Sequence, residues 1–386
     1  MFSALILVLG VVAVGSFLRC ASTIFGDKTP ADSGSKSFEF SSVSFVVPAR
    51  NEAESVELCI DAISALATAL KAVHRDLVVE IVLVDDDSSD RTAQLAAGRG
   101  ATVVSAPGIA QGSNGKACAC EFGSRSTTGD LLVFVDSDVE VAQGLSNLIN
   151  SVAAQEFDLI SVQPFHAAVG LVESMAILFN AVSLMSATFP CRRTNAPLVV
   201  FGPIVITTRT NYEAVGGYAR VATQVVEDIA LGSNYRMADK TIAIRSGRKF
   251  ASFRMYRGGF GALVEGFSKN IAFGARAVGP VGGIAGFVFV GALVLCSLDG
   301  FGAIMALFAD KFATAAIDLG LYVFGSVMLS AAVGKIGSYS KSAVIFYPVP
   351  VAIFLIVSLR SVFWLFFRQK ASWKGRTLLN RDPDGG

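Results

Sequence analysis

Charge is scarce in this chain. Only 16% of its 386 residues are Asp, Glu, Lys or Arg, against about 25% in an average soluble domain. Apolar residues fill the deficit at 53%, and the mean hydropathy of +0.57 points to lipid. A net charge of +1 excludes a strongly basic nucleic-acid binder. Histidine is nearly absent, with His74 and His166 the only two. None of the six cysteines (Cys20, Cys59, Cys118, Cys120, Cys191, Cys296) forms a CxxC pair, so no zinc-site spacing exists. A chain of this size needs no disulfides, and scattered thiols fit a reducing compartment. There is no 20–50-residue repeat and no low-complexity tract. No G-x-G-x-x-G comes after the first apolar strand, which argues against a soluble dinucleotide-binding oxidoreductase.

The apolar residues are unevenly spread. Residues 2–18 carry no charge, and as a helix they would span about 25 Å, close to a thin hydrocarbon core. A cleaved signal peptide would want a basic residue before the run, whereas Arg19 comes after it. Residues 1–21 therefore read as an N-terminal transmembrane anchor, with Arg19 and Lys28 directing the adjoining domain to the cytoplasm, and 22–41 as a linker. Near the other end, Val278–Ser297, Phe301–Phe308, Phe312–Val333 and Ser342–Phe367 are apolar blocks. They define transmembrane helices over 276–368 and a cytosolic tail over 369–386. Pro348 and Pro350 break the last block, and the number of crossings stays open. The apolar stretch Val169–Phe189 holds Glu173 and Asn180 and is expected to lie in the membrane interface.

Between these segments, over 42–275, short apolar runs alternate with helix-length stretches. Ser44–Val47, Val78–Val84, Thr102–Ser105 and Leu131–Val135 read as strands and Glu54–Val73 as a helix. That rhythm predicts βαβ units on a mainly parallel sheet, an α/β fold. Three acidic clusters stand at or near run ends, where parallel sheets deliver functional residues. Asp85-Asp86-Asp87 and Asp90 form either a capped turn or a ligand site; the spacing excludes an EF-hand. Asp136-Ser137-Asp138 comes directly after five apolar residues, and its carboxylates suit Mg²⁺ or Mn²⁺ holding a diphosphate. Glu227-Asp228 is flanked by apolar residues, the setting of a raised pKa and a general base.

The order of these clusters resembles the family 2 glycosyltransferases. The resemblance starts at Pro48-Ala49-Arg50-Asn51-Glu52, like the family's PxxNE turn. It runs through the Asp85–Asp90 cluster and the Asp136-Ser137-Asp138 "DxD" to Glu227-Asp228. Gly115-Lys116-Ala117-Cys118-Ala119-Cys120, Phe253-Arg254-Met255-Tyr256, Glu265–Asn270 and Trp373-Lys374-Gly375-Arg376 are similar to elements of a lipid-modifying branch. That branch includes carotenoid-acid (diaponeurosporenoate) glycosyltransferases and, more distantly, ceramide and hopanoid glycosyltransferases. The Q-x-x-R-W element of processive polymer synthases is missing, since neither Trp364 nor Trp373 has that context.

The resemblance implies a GT-A nucleotide-sugar domain and inverting, non-processive transfer from a nucleotide-sugar, of the UDP type, to a membrane lipid. It implies that Asp85 and Asp86 hold the base, that Pro48, Arg50 and Glu52 line the nucleotide pocket, and that Lys116 lies near the diphosphate. Asp136 and Asp138 would hold the ribose and a divalent cation, Mg²⁺ or Mn²⁺. Asp228, beside Glu227, would be the general base, and Gly202, Pro203, Arg254 and Tyr256 would shape the acceptor region. Two other readings stand beside this one. A polyprenyl-phosphate acceptor keeps the fold. A non-catalytic transport or assembly partner would have lost carboxylates that are all present here.

Overall fold

The computed structural model describes residues 5, 7–15, 18, 40–109, 112–188, 200–224, 226–277, 279–367, 370–373 and 376–379. Most of the expected anchor flank, linker and tail lies outside these residues. The chain divides into two compact units, one of residues 25–165, 193–253 and 365–386, the other of 1–24, 166–192 and 254–364.

The first unit is built on a seven-stranded sheet. Its strands lie in the order Thr102–Ser105, Val78–Asp85, Ser42–Ala49, Leu131–Val135, Ile204–Thr208, Leu159–Gln163, Ile242–Ser246. All pairings are parallel except the two made by Ile204–Thr208, which runs antiparallel to both neighbours. This is the expected mainly parallel α/β sheet. Strands covered on both faces need apolar residues on both faces. Accordingly Leu131–Val135 is wholly buried, and Ser42–Ala49 is buried from Val43 onward. Each such Val, Leu or Ile contributes about 1.5–3 kcal/mol of burial. Ser44 is the exception in the run. Its hydroxyl bonds Glu80 at 2.5 Å and accepts from Gly129 N at 2.9 Å, so no polar atom is orphaned there.

Two close approaches fix this core. The Gly115–Arg125 helix crosses the sheet at Gly123, where a Cβ would meet Val46 at 2.4 Å and Val84 at 2.7 Å. Gly217 sits at φ +54 with the Tyr212 ring 2.6 Å from any added Cβ. Helix Val56–Val73 starts two residues later than the sequence pattern suggested, because Glu52 O accepts from Ser55 N and Val56 N and closes a turn first.

The second unit carries the apolar helices. Gly279–Phe308 is one continuous helix, which corrects the expectation of two blocks parted at Leu298–Gly300. Gly300 does not break it; a Cβ there would meet Tyr322 at 2.3 Å, and one at Gly302 would meet Asp318 at 2.9 Å. These glycines let the backbone approach the neighbouring Phe312–Val333 helix, a packing role typical of membrane helices. Gly282–Phe308 and Phe312–Val333 are long and apolar enough to cross a membrane. The last block splits into Lys341–Ile345 and Pro348–Phe367, the second starting on the proline. Residues 7–15 are helical, and a Cβ on Gly10 would meet Ala292 at 2.6 Å.

The stretch expected at the membrane interface forms two helices, Gly170–Ser174 and Ile177–Thr188. Its two polar residues are paired inside this unit. Glu173, 6% exposed, receives Arg254 at 2.6 and 2.9 Å. Asn180 bonds His166 Nδ1 at 2.7 Å and Tyr339 Oη at 2.9 Å.

Candidate active site

Lys116 stands in the first turn of the Gly115–Arg125 helix, whose N-cap is Asn114: its side-chain oxygen accepts from Ala117 N at 3.2 Å. The Lys116 ammonium bonds both Asp136 oxygens, at 2.8 and 3.0 Å, and the Gly202 carbonyl at 3.2 Å. Glu227 Oε1 is 3.8 Å away and Asp228 Oδ2 3.7 Å. Burial alone would lower the lysine's pKa, but Asp136, Asp228 and Glu227 outweigh it and raise it well above the usual lysine range. One ammonium thus joins three carboxylates from two regions about 90 residues apart in sequence. Sequence spacing gives no hint of that meeting.

The surrounding charge stays negative. Burial, then Asp136 and Glu52, push the Asp138 carboxyl up to about 7. Burial and Glu227 push Asp228 up to about 8, against the pull of Lys116 and the Tyr218 hydroxyl, which lies 3.4 Å from Oδ1. Asp228 occupies the first turn of helix Glu227–Met237. Gly202 lies against it so closely that a Cβ would sit 1.8 Å from Oδ2. Pro203 O accepts from Asp136 N at 2.9 Å. Gly202 and Pro203, expected near the acceptor, are thus in contact with Lys116, Asp136 and Asp228.

The first and second strands end side by side and organise the other acidic cluster. Arg50 donates to the Asp86 carbonyl at 2.5 Å and lies 3.5 Å from the Asp87 carboxylate. Asp90 accepts from Ala53 N at 3.1 Å and Thr92 N at 3.0 Å, and it bonds the Thr92 hydroxyl. These bonds hold its carboxyl below the usual range despite partial burial, so Asp90 is a loop brace. Asp86 is 3% exposed, and Asp85 Oδ1 is buried with no hydrogen-bond partner among the described residues. Glu52 caps its own turn through Ser55 at 3.0 Å. Pro48 lies in the buried end of the first strand, paired in register with Val84.

Arg254 and Tyr256 fall in the other unit. Arg254 binds Glu173, and Tyr256, at φ +62, packs its ring on Phe267 with centroids 4.9 Å apart. Two residues beside the acids have no assignment from sequence: Asn114, and Cys59, whose thiol lies 3.6 Å from Asp136 O. The asparagine before the Gly-Lys pair is a readable helix-cap signal and Cys59 carries none; Tyr218, whose Gly216-Gly217-Tyr218 setting resembles an acceptor-side loop, meets Asp228. Among the described residues no three His, Cys, Asp or Glu side chains are grouped to hold a metal ion.

The glycosyl transferase family 2 model matches residues 44–202. The 4,4'-diaponeurosporenoate glycosyltransferase of Staphylococcus haemolyticus is 30% identical over 246 residues, covering 62% of this chain and 63% of its own length. The chain therefore spans somewhat less than two thirds of that relative. The Staphylococcus aureus enzyme of the same name is 30% identical over 277 residues, 70% of this chain and 71% of its own. Among solved structures, a mannosyltransferase from Pyrobaculum calidifontis in complex with GDP-Man and Mn²⁺ aligns at TM-score 0.49 and 17% identity, over 87% of this chain and 98% of its own. Glucosyl-3-phosphoglycerate synthase from Mycobacterium tuberculosis, with Mn²⁺, UDP-glucose and phosphoglyceric acid, aligns at 0.41 and 22%, over 69% and 83%.

Proposed function

This chain belongs to glycosyltransferase family 2, and from that premise we propose that it moves a sugar from a nucleotide-sugar donor, of the UDP type, onto a membrane lipid. The observation that carries the reading is the convergence of Lys116, Asp136 and Asp228 on one point. A cation for the donor diphosphate and a carboxylate of raised basicity stand side by side there.

In this reading Asp85 and Asp86 bind the base, and Pro48, Arg50 and Glu52 line the nucleotide pocket. Lys116 exchanges part of its contact with Asp136 for the diphosphate. The donor set suits a divalent cation: Asp136 and Asp138 stand two residues apart just past the Leu131–Val135 strand, and burial with the Asp136 and Glu52 charges pushes the Asp138 carboxyl up to about 7. Two carboxylates plus substrate oxygens are an ordinary Mg²⁺ or Mn²⁺ environment. Held by Asp136 and Asp138, such an ion would supply positive charge to offset that of the departing diphosphate.

The acceptor oxygen attacks the anomeric carbon as the bond to the diphosphate breaks, a single displacement that inverts the centre. Asp228 takes the proton of a hydroxyl acceptor. Its pKa of about 8 suits that task near neutral pH. Glu227, held by Asn114, stays in place beside it. A carboxylate acceptor, as the name of the staphylococcal relatives implies for those proteins, has no proton to lose, and Asp228 then only orients it. Gly202 and Pro203 line the acceptor side, and Arg254 and Tyr256 belong to the lipid-handling unit.

The two long apolar helices support a membrane location. As a hairpin they return Lys335 and Lys341 to the side of residue 277, which the positive-inside rule makes cytoplasmic, with the catalytic domain there too.

Purified protein in detergent, offered UDP- and GDP-sugars with Mg²⁺ or Mn²⁺ and a panel of carotenoid, sphingolipid, hopanoid and polyprenyl-phosphate acceptors, tests the reading. Metal-dependent release of one nucleotide diphosphate with a new glycolipid is the expected result. A folded protein that binds no nucleotide would overturn it.

A further inference from the structure

Asn114 ties two stretches of chain together through its backbone N–H and its side-chain amide. Its backbone N–H donates to Ala222 O at 2.6 Å. Its side-chain amide donates to Gln224 O at 3.0 Å and Glu227 Oε2 at 2.6 Å, and its side-chain oxygen caps the next helix through Ala117 N. Asn114 is 4% exposed and Glu227 8%, so these bonds are made away from water, where a lost partner costs the most. The residue leads directly into the turn that carries Lys116, while Glu227 leads directly into Asp228. Across this staple the Lys116 ammonium and Asp228 Oδ2 lie 3.7 Å apart.

We infer that Asn114 is a positioning residue that sets the spacing between the diphosphate-facing Lys116 and the proton-accepting Asp228, with Glu227 as its strut and not as a reacting group. The two carboxylates of the Glu227-Asp228 pair thereby divide their work. Glu227 Oε2 is occupied by the amide, which fixes the start of its helix. The Asp228 carboxyl then has a fixed direction between Lys116 and the Tyr218 hydroxyl. Only a neutral side chain offering both an N–H donor and a capping oxygen satisfies both helix starts at once. Aspartate keeps the cap but turns an acceptor toward Glu227.

The inference rests on the transferase reading, and its test separates the two. Donor turnover, donor KM and melting temperature are measured for wild type, Asn114→Asp, Glu227→Gln and the double variant, full-length in detergent. The double variant reverses donor and acceptor across the same contact. A misplacement of this kind costs on the order of 10–100-fold in turnover. The expected result is such a loss of kcat in Asn114→Asp with donor KM within about threefold, and recovery of about tenfold or more in the double variant. A kcat for Asn114→Asp within about threefold of wild type overturns the inference. So does a loss that tracks donor binding and melting temperature and is not recovered, since Asn114 would then be a helix cap only. So does a double variant no better than Asn114→Asp alone, because Glu227 would then itself react. Wild-type protein inactive with every donor would instead remove the transferase reading, and this inference with it.

Discussion

A carboxylate serves as a base only if its environment favours the proton, and at Asp228 burial and Glu227 do so. With a hydroxyl acceptor, Asp228→Asn is expected to lose about 10²–10⁴-fold in kcat while keeping donor binding. With a carboxylate acceptor the loss should be far smaller, so one variant assayed on two lipids distinguishes the acceptor chemistry. The same group sets a pH dependence. Below about 8 the free protein holds Asp228 protonated, so kcat/KM for a hydroxyl acceptor should rise with pH and level off above that value. The profile should flatten in Asp228→Asn. A Cβ on Gly202 would collide with the Asp228 carboxylate, so any side chain there must displace it. Gly202→Ala is expected to impair transfer on the scale of Asp228→Asn, read by turnover against donor binding.

Between elements, the polar contacts of the apolar unit are as consequential as its packing. His166 is fully buried on the short strand Phe165–Ala167, bonded to Asn180. Burial lowers its pKa to about 4, against a small opposing pull from Glu173. The unfolded chain binds this proton below about 6.5, and the folded one does not until about 4. The stability present above pH 6.5 is therefore lost as pH falls toward 4, by up to about 3 kcal/mol. Melting temperatures across pH 4–7 in detergent should show this slope in wild type, and His166→Asn should reduce it. Gly300→Val would press a branched side chain onto Tyr322. An overpacked contact of this kind costs about 1–3 kcal/mol, visible as a lower melting temperature.

Over the whole molecule, one family-2 catalytic sheet and one set of apolar helices share a single chain, and each part is interrupted in sequence by the other. If Gly279–Phe308 and Phe312–Val333 form a membrane hairpin, a cysteine at Asp310 should react with an impermeant maleimide from outside intact cells. One at Ser338 should react only after permeabilisation. Labelling of both from outside would refute the proposed cytoplasmic catalytic domain.

The strands were legible in the sequence because strands buried on both faces must be apolar throughout, and Leu131–Val135 matched to the residue. The acidic clusters were legible because carboxylates at the end of such a run are costly without a partner. The apolar blocks parted at Leu298–Gly300 are one helix in the structure, because a short polar and glycine gap that admits a neighbouring helix looks, in one dimension, like one that ends its own. Arg254 was likewise visible only as a cation before an apolar segment, while its bidentate bond to Glu173 joins residues 81 apart. The sequence by itself determined which residues are apolar, acidic or helix-capping, since those are properties of local runs and side-chain types. Only the tertiary structure decided that Lys116 meets Asp136, Glu227 and Asp228 and that Asn114 ties Lys116's helix to theirs. Such meetings depend on how distant strands and helices pack, and no local pattern encodes that distance.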